Sequence, residues 1–286
     1  TAVIGFTDLK GIGSTGFNFL TDDLLKNFKT ILSNPSFIQS FKNTILLWVC
    51  NFIPQIILAL LLAAWFTDRR SHVKGQGLFK VLLYMPNIIT AATIAILFNA
   101  LFGYPMGPVN DILMRLGITD APINLMLNKN VARGVIIFIQ TWMWYGSTMI
   151  VLISGILGIN PEIFESADVD GAGRVQTFFL ITLPNIKTIL TFTLVTSLIG
   201  GLNMFDIPKL LQNGGPDNST LTTSLFIYNQ AFSGSYLYNR AAAASMIMFV
   251  IIAILAGITF RLMRDDDEKE AIKEKKRLRK LQKEGK

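Results

Sequence analysis

The chain has very little of the side-chain chemistry on which most enzymes depend. It contains one cysteine, Cys50, and one histidine, His72, among its 286 residues. A single cysteine cannot build a disulfide framework within the chain, and one histidine leaves almost no material for a metal site or a histidine-activated nucleophile. We therefore expect no metal site and no catalytic residues in this chain.

Charged residues and nucleotide-binding motifs are also scarce. Only 16% of the residues are charged, whereas soluble domains carry about a quarter. The pattern G-x-x-x-x-G-K-[ST] does not occur, so the chain has no phosphate cradle of its own. A net charge of +7 could indicate a nucleic-acid partner, but the basic residues cluster in short loops and at the carboxyl end. Such clusters orient membrane proteins, and we expect no nucleic-acid partner.

Long apolar runs are what the chain has instead. Hydrophobic residues make up 51% of it, and a helix needs about 20 apolar residues to cross a bilayer. Because backbone polar groups cannot stay unpaired in lipid, and because the alternation of barrel strands is absent, these runs are predicted to be helices. The predicted spans are 44–66, 78–102, 133–157, 184–203 and 242–263. We predict an all-α membrane protein with a transmembrane domain over 44–263.

Basic residues give the predicted orientation. The loop 67–77 and the tail 264–286 are both rich in lysine and arginine, which places them in the cytoplasm together with the loop 158–183. The predicted external segments are 1–43, 103–132 and 204–241. An external amino terminus implies that one further span precedes residue 1, which gives six spans in all. Alternating charges in the tail favour a solvated basic helix over a strip on the lipid surface.

The cytoplasmic loop 158–183 is more elaborate than a connector needs to be. Asn160 can cap a helix, and Pro161 suits its first turn. Glu162 and Glu165 lie three apart, on one face of that helix. Gly171 then supplies a flexible joint before a second short helical pattern. The loop is typical of a docking element for another protein; the alternative is an ordinary amphipathic juxtamembrane loop.

The same loop resembles the EAA loop of the membrane subunits of bacterial ATP-driven importers, E-A-A-x-x-D-G-A followed by an aromatic residue and I-T-L-P. The residues that match in order and spacing are Glu165, Ala167, Asp170, Gly171, Ala172, Phe178, Ile181, Thr182, Leu183 and Pro184. Ser166 replaces the first alanine. The resemblance implies an ATPase-coupling surface made of Glu162, Glu165, Ser166, Ala167, Asp170, Gly171 and Ala172. It further implies that Glu165 makes a charged contact with the ATPase.

A second motif lies in the external segment 204–241. Phe205-Asp206 is followed by Leu-Leu-Gln-Asn-Gly-Gly-Pro at 210–216 and by Ser-Thr at 219–220. Gly-Gly-Pro makes a sharp turn with a fixed exit direction. The pattern resembles the F-D-x-x-x-x-L-T-x-G-G-P-x-x-x-T signature of maltose-type sugar permeases, and a generic external loop is the alternative. The resemblance implies a docking surface for an extracellular binding protein at Asn213, Gly214, Gly215 and Pro216.

Together the two motifs resemble the maltose-type sugar permease subunits of binding-protein-dependent ABC importers, over essentially the whole chain. The resemblance implies a multi-pass protein of the bacterial inner membrane with a core of six helices. Its implied partners are a second homologous permease, two ATPase subunits, an extracellular solute-binding protein and a sugar. The chain itself would not be an enzyme and would bind no cofactor, since ATP and magnesium belong to the ATPase subunits.

Residues 140–147 combine flat aromatic faces with hydrogen-bonding groups, which is what a sugar pocket needs. The predicted substrate-binding residues are Gln140, Trp142, Met143, Trp144, Tyr145, Ser147, Ser197, Gly200, Gly201 and Asn203. Weaker candidates are Asn51, Gln55, Asn87 and Asn99. The stretch resembles a cavity-lining segment of the maltose permeases, but Trp144 stands there in place of a glycine, and Gly200 and Gly201 in place of Phe and Asn. Maltose therefore cannot be carried over as the substrate.

The site, the ligand and the class of protein each have an alternative interpretation. The aromatic residues of 140–147 could form an interfacial belt, although their polar neighbours favour a cavity. The ligand could be an oligosaccharide, or a polyol, glycerol phosphate or polyamine; a phosphate would need Arg or Lys in the spans and a polyamine would need carboxylates. Neither basic side chains nor carboxylates are present in the central helices, which favours a neutral ligand. An ion channel would be expected to show a filter or a charged ring, and a scaffold has no need of the cytoplasmic loop.

Overall fold

The computed structural model describes residues 2–11, 13, 16–70, 74–234 and 236–263. The described helices are α1 (Lys26–Leu32), α2 (Pro35–Thr67), α3 (Gln76–Ile88), α4 (Ala91–Leu101), α5 (Pro108–Arg115), α6 (Lys129–Leu157), α7 (Pro161–Val169), α8 (Arg174–Thr177), α9 (Leu183–Asn185), α10 (Lys187–Leu202), α11 (Asp206–Gln212), α12 (Thr223–Phe232) and α13 (Tyr238–Met263). A π-helical turn covers Phe178–Thr182. The prediction of an all-α fold is confirmed. The predicted basic tail 264–286 and His72 lie outside the described residues.

Among the described residues, four helical segments are long and apolar enough to cross a membrane, or five if the bent pair α3–α4 counts as one span. The first of them, α2, begins at Pro35, well before the predicted start at 44. Its start follows from local chemistry, because Asn34 Oδ1 accepts hydrogen bonds from the N–H groups of Ser36 (2.9 Å) and Phe37 (3.3 Å). At about 1.5 Å per residue, 33 residues exceed the thickness of a bilayer core. The helix therefore extends beyond the membrane at one end or both.

The second predicted span, 78–102, is wrong as a continuous helix. The chain instead forms α3 and α4, which meet at an angle of 88°. Pro86 removes a backbone donor near the end of α3. Ile89 is extended, and the Thr90 side chain then accepts a hydrogen bond from the N–H of Thr93 to start α4. Hydropathy measures how apolar a run of residues is but not the direction of the helix that it forms. The break between α3 and α4 was therefore missed.

The other three predicted spans coincide with helices whose starts differ from the prediction. α6 begins at Lys129, because Asn128 Oδ1 accepts hydrogen bonds from the backbone N–H groups of Asn130 and Val131. α13 begins at Tyr238 and not at 242. α10 begins at Lys187, after the π-helical turn, the three-residue helix α9 and a single turn residue, Ile186.

The pairing of α2 with α6 forms the centre of the molecule. Along one face of α2, residues 47, 51, 55, 59 and 63 follow one another at intervals of four, and all five are buried. Leu47 belongs to an apolar cluster with α4, α6 and α11, and Ala59 and Ala63 belong to a second cluster with the other end of α6. Between them the buried residues are Asn51 and Gln55. The centre of the pair is therefore polar, and that is where the cavity opens.

Two further contacts fix the helices around this pair. α3 lies directly on α6 at Gly146, where an added Cβ would stand 2.3 Å from the carbonyl oxygen of Leu83. A third apolar cluster joins α1, α10, α12 and α13 and includes Ile31, Leu202 and Leu225. The amino-terminal segment is thus packed against α13 rather than extended away from the bundle.

Candidate transport cavity, coupling loop and external loop

A cavity of about 350 Å³ opens among α2, α6, α10 and the start of α11. Eight of the predicted substrate-binding residues contribute to its wall, namely Gln140, Met143, Trp144, Ser147, Ser197, Gly200, Gly201 and Asn203. Their helices bring them together because α6 and α10 both pack beside α2. The wall is mixed, with amide, hydroxyl and indole groups beside apolar ones.

Trp142 and Tyr145 do not contribute to the cavity wall, in contrast to the prediction. Trp142 packs against Phe98 of α4, with ring centroids 6.2 Å apart, and Tyr145 is buried. Successive residues of a helix point about 100° apart, so the four consecutive residues 142–145 cannot all face one cavity. The face of α6 that meets the cavity carries residues 140, 143, 144, 147, 148 and 151.

Trp144 presents its indole on the cavity wall, with 48% of the residue exposed. Its Nε1–H donates a hydrogen bond to Gln140 Oε1 at 3.1 Å, which orients the ring. One turn further along, the Gln55 Nε2 group donates to Thr148 Oγ1 at 2.8 Å. Aromatic and polar groups therefore alternate along this part of the wall.

Several lining residues were missed or ranked too low by sequence reasoning. Trp48, Thr193, Thr196 and Asp206 line the cavity but were not predicted. The weaker candidates Asn51 and Gln55 are also in the wall, because they belong to the buried face of α2. A usable signal was present in α10, where residues 193, 196, 197 and 200 are polar or small at helical spacing.

The other two weaker candidates lie outside the cavity. The Asn87 side chain donates a hydrogen bond to the carbonyl oxygen of Met143 at 3.2 Å, and that of Asn99 donates to the carbonyl oxygen of Leu210 at 3.4 Å. Both amides therefore bridge helices. Polar groups within a bundle do not all point to a ligand, since some satisfy neighbouring backbone groups.

The predicted coupling loop forms two short helices joined at a glycine. The Asn160 side chain accepts a hydrogen bond from the N–H of Glu162 at 3.1 Å to start α7, and Pro161 occupies its first turn. α7 ends at Val169, and Gly171 has a φ of 75°, a conformation that glycine adopts without strain. α8 follows at Arg174. The cap and the joint that the sequence indicated are both confirmed.

Ion pairs fasten this loop to the first predicted cytoplasmic loop. Arg69 Nη1 lies 3.2 Å from Glu165 Oε1, and Arg174 Nε lies 3.1 Å from Asp68 Oδ2. Arg70 pairs with Asp168 and also donates to the carbonyl oxygen of Ala172 at 3.1 Å. The pairs of Arg69 and Arg70 are exposed, and in the third Arg174 is exposed while Asp68 is half-buried; solvent-accessible pairs contribute about 0–1 kcal/mol apiece. From the sequence, Arg69 and Arg70 indicated only the orientation of the chain, because their pairing with the second loop depends on the fold.

The external loop 213–221 is held in place by α2 and α6. The Asn43 side chain donates hydrogen bonds to the carbonyl oxygens of Asn218 (2.7 Å) and Leu221 (3.1 Å). The Arg133 guanidinium donates to the carbonyl oxygen of Ser219 (2.9 Å) and to Asn43 Oδ1 (3.0 Å). These contacts fix a loop that has no regular secondary structure.

The four predicted docking residues of this loop differ in exposure. Asn213 is exposed, Gly215 and Pro216 are half-buried, and Gly214 is buried. Gly214 therefore shapes the turn rather than offering a surface. Asn213 also accepts a hydrogen bond from Lys209 Nζ at 2.8 Å, which orients its amide.

The described residues contain no cluster of three or more His, Cys, Asp or Glu side chains that could hold a metal ion. A helical bundle with a polar cavity between its spans and a structured two-helix loop at one end has the architecture of a membrane transporter subunit. The chain belongs to the family described as binding-protein-dependent transport system inner membrane components, whose model matches residues 43–265. It is thus a multi-pass inner membrane protein.

Individual relatives agree with this assignment. The lactose transport system permease protein of Rhizobium radiobacter is 32% identical over 241 residues, which cover 84% of this chain and 80% of that protein. The crystal structure of a bacterial ABC transporter that imports the acidic polysaccharide alginate contains a similar chain, with a TM-score of 0.75 and 27% identity over 84% of this chain and 82% of that one. A second structure of an alginate transporter, in complex with a periplasmic protein bound to an alginate pentasaccharide, has a TM-score of 0.72 and 28% identity over 83% of this chain and 82% of that one.

Proposed function

We propose that the chain is the transmembrane permease subunit of an ATP-driven, binding-protein-dependent importer of an oligosaccharide. The observation that carries this proposal is the cavity wall, which combines the exposed indole of Trp144 with the hydroxyl groups of Ser147 and Thr196. Sugars are recognised by such a combination of flat apolar surface and a few placed polar groups. The lactose and alginate transport of the relatives supports a carbohydrate over other small solutes.

The charge of the wall argues against an anionic ligand. Among the described residues that line the cavity, Asp206 is the one charged side chain. Glycerol phosphate would need an arginine or lysine in the wall to bind its phosphate group. A polyol lacks the rigid ring whose C–H face could pack on the indole of Trp144. The wall therefore favours a neutral saccharide over both.

The coupling loop supplies the proposed contact with the ATPase. Glu162 and Glu165 are both exposed on α7, so they are available to a basic partner surface. The proposed surface comprises Glu162, Glu165, Ser166, Asp170, Gly171 and Ala172, with the buried Ala167 packing behind them. ATP and magnesium would be bound, and ATP hydrolysed, on two separate ATPase subunits. This chain would bind no cofactor and would not itself be an enzyme.

Two further partners complete the proposed importer. A second, homologous permease would close the side of the cavity that this chain leaves open. An extracellular solute-binding protein would dock on the loop at Asn213, Gly215 and Pro216, whose shape depends on Gly214 and on the hydrogen bonds of Asn43. Oriented docking of this kind needs a rigid loop, and the backbone contacts of 213–221 make it rigid.

The coupling role is tested by comparing Glu165→Gln with Arg69→Gln in the full transporter, reconstituted in liposomes with its partner permease, ATPases and binding protein. Glu165→Gln removes the charge proposed to reach the ATPase, whereas Arg69→Gln removes the internal partner of that charge and the contact of its guanidinium with the Phe164 ring. A charged hydrogen bond is worth about 1.5–3 kcal/mol, so Glu165→Gln should lower sugar-coupled ATP hydrolysis about tenfold or more. Arg69→Gln should change it less than about threefold, because exposed ion pairs contribute little. Equal effects of the two variants would mean that Glu165 serves only the internal pair.

A further inference from the structure

We propose that Trp48 is a sugar-discriminating platform of the cavity, an indole that can take its position only because residue 201 is glycine. The inference rests on the proposed function and deepens it. Trp48 lies on α2, one turn before Asn51, and its half-buried side chain contributes to the cavity wall. It would present a flat aromatic surface to a sugar ring, as Trp144 does from α6.

The approach of Trp48 to α10 is the first part of the argument. A Cβ added at Gly201 would lie 2.0 Å from Trp48 Cδ1, 2.6 Å from Cγ and 2.9 Å from Nε1. The indole therefore occupies the space that any side chain at 201 would need. Gly201 is required here by close contact, whereas an added Cβ at its neighbour Gly200 would meet nothing within 4 Å.

Two more contacts hold the ring. The Trp48 Nε1–H donates a hydrogen bond to Ser197 Oγ at 3.2 Å. The indole also stacks with Phe52, with ring centroids 5.9 Å apart and an interplanar angle of 22°. An indole fixed on three sides loses little further freedom when a ligand packs on it, so its contact energy is available for discrimination.

The position of the ring explains what it would discriminate. Ser197 and Gly201, the two residues of α10 that hold it, are themselves part of the cavity wall. A sugar ring that packs a C–H face on the indole would lie beside the hydroxyl group of Thr196 and the carboxylate of Asp206 in the same wall. Neutral sugars can meet both an aromatic face and a carboxylate, whereas a uronate would be repelled by the carboxylate.

The test uses the complete transporter in liposomes, with saturating binding protein, and measures uptake of lactose, maltotriose and an alginate trisaccharide. Aromatic contacts are worth about 0.5–1.5 kcal/mol, so Trp48→Ala should reduce uptake of the best neutral sugar by about threefold to tenfold relative to the poorest. Gly201→Ala should shift the same ratio by displacing the indole. Trp48→Phe should retain most of the wild-type ratio, because it keeps an aromatic face.

Two control variants separate a platform from a merely structural role. Gly257→Ala, in α13 and away from the cavity wall, adds a methyl group where nothing lies within 4 Å and should leave uptake unchanged. Gly200→Ala adds the same methyl group to the cavity without touching Trp48, and it should shift the ratio less than Gly201→Ala. Equal shifts from the two glycine variants would show that cavity volume matters and that Trp48 does not.

The remaining outcomes are also decisive. If Trp48→Ala lowers uptake of all three sugars and binding-protein-stimulated ATP hydrolysis by one common factor, its role is structural and the platform is refuted. If the wild-type transporter takes up sugar and the ratio is unchanged in Trp48→Ala and Gly201→Ala, the platform alone is refuted. If the wild-type transporter moves none of the three sugars while its ATPase responds to a loaded binding protein, the proposed sugar function is refuted and the platform with it.

Discussion

Replacing Gly146 with alanine should destabilise the chain, whereas the same change at Gly134, in the same helix, should stabilise it. Both glycines lie in α6, so both gain the better helix propensity of alanine, roughly 1 kcal/mol. An added Cβ at Gly134 meets nothing within 4 Å. At Gly146 it would stand 2.3 Å from the carbonyl oxygen of Leu83 and 2.9 Å from Tyr84 Cα. The two substitutions therefore differ only in whether α3 lies against the new methyl group.

The expected size follows from the contact distances. Ordinary contact begins at 3.4 Å, so α3 must recede from Gly146→Ala by about 1 Å, and its backbone cannot yield as a flexible side chain would. Overpacking costs about 1–3 kcal/mol, and a clash with unyielding backbone belongs in the upper half of that range, about 2–3 kcal/mol. After the propensity gain of roughly 1 kcal/mol, the net loss is about 1–2 kcal/mol. For a chain of this size about 2–4 °C of Tm corresponds to each kcal/mol. Gly146→Ala should melt about 2–8 °C below the wild type and Gly134→Ala about 2–4 °C above it.

The measurement is thermal unfolding of the purified chain in a mild detergent, followed by intrinsic fluorescence and by the loss of the monodisperse peak in size-exclusion chromatography. Both variants and the wild type are compared at one detergent concentration. A Gly146→Ala protein that melts at or above the wild-type temperature would refute the direct packing of α3 on α6. A fall of equal size in Gly134→Ala would show that the lost glycine, and not the contact, is responsible.

Three further predictions concern other contacts. Asn43→Ala should lower stability by about 1–3 kcal/mol in the same unfolding assay, because it removes the donor to the buried carbonyl group of Leu221 and to the part-buried carbonyl group of Asn218; Asn99→Ala, which loses one exposed 3.4 Å contact, should cost less than about 0.5 kcal/mol. A double-mutant cycle on Arg174→Ala and Asp68→Ala should give a coupling energy of at most about 1 kcal/mol that falls with added salt, and a larger, salt-independent value would contradict the exposed geometry. Trp142→Leu should lower Tm without changing the uptake ratio of two sugars, because the ring packs on α4 and not in the cavity; a changed ratio would return Trp142 to the site.

Helical content was predictable because it depends on composition over some twenty residues, and lipid permits few alternatives. Direction was not. The 88° turn between α3 and α4 depends on Pro86 and on the capping side chain of Thr90, and an average over the run 78–102 hides both. Helix starts at Pro35 and Lys129 were also encoded locally, by Asn34 and Asn128. A search for capping residues would have found them.

The residues of the candidate site were predictable where they belong to a recognisable motif in the sequence. The residues outside such a motif were not predicted. The segment 140–147 pointed to the right stretch of α6, but a stretch contains every face of a helix, and Trp142 and Tyr145 lie outside the cavity wall. The contribution of α2 could have been read from its buried face, where Asn51 and Gln55 interrupt an apolar series. That Trp48 fills the space over Gly201 could not be predicted, because it depends on how closely two helices approach.

The ion pairs between the two loops at one end of the bundle determine how a mechanical load would spread. α7 is connected by the chain to α6 on one side and towards α10 on the other. The contacts of Arg69 and Arg70 add α2, and Gln76 at the start of α3 donates a hydrogen bond to the carbonyl oxygen of Phe66 in α2. A displacement applied to α7 would thus enter the bundle through four helices, three of which carry the walls of the cavity. One displacement of α7 would then both tilt these helices and change the shape of the cavity.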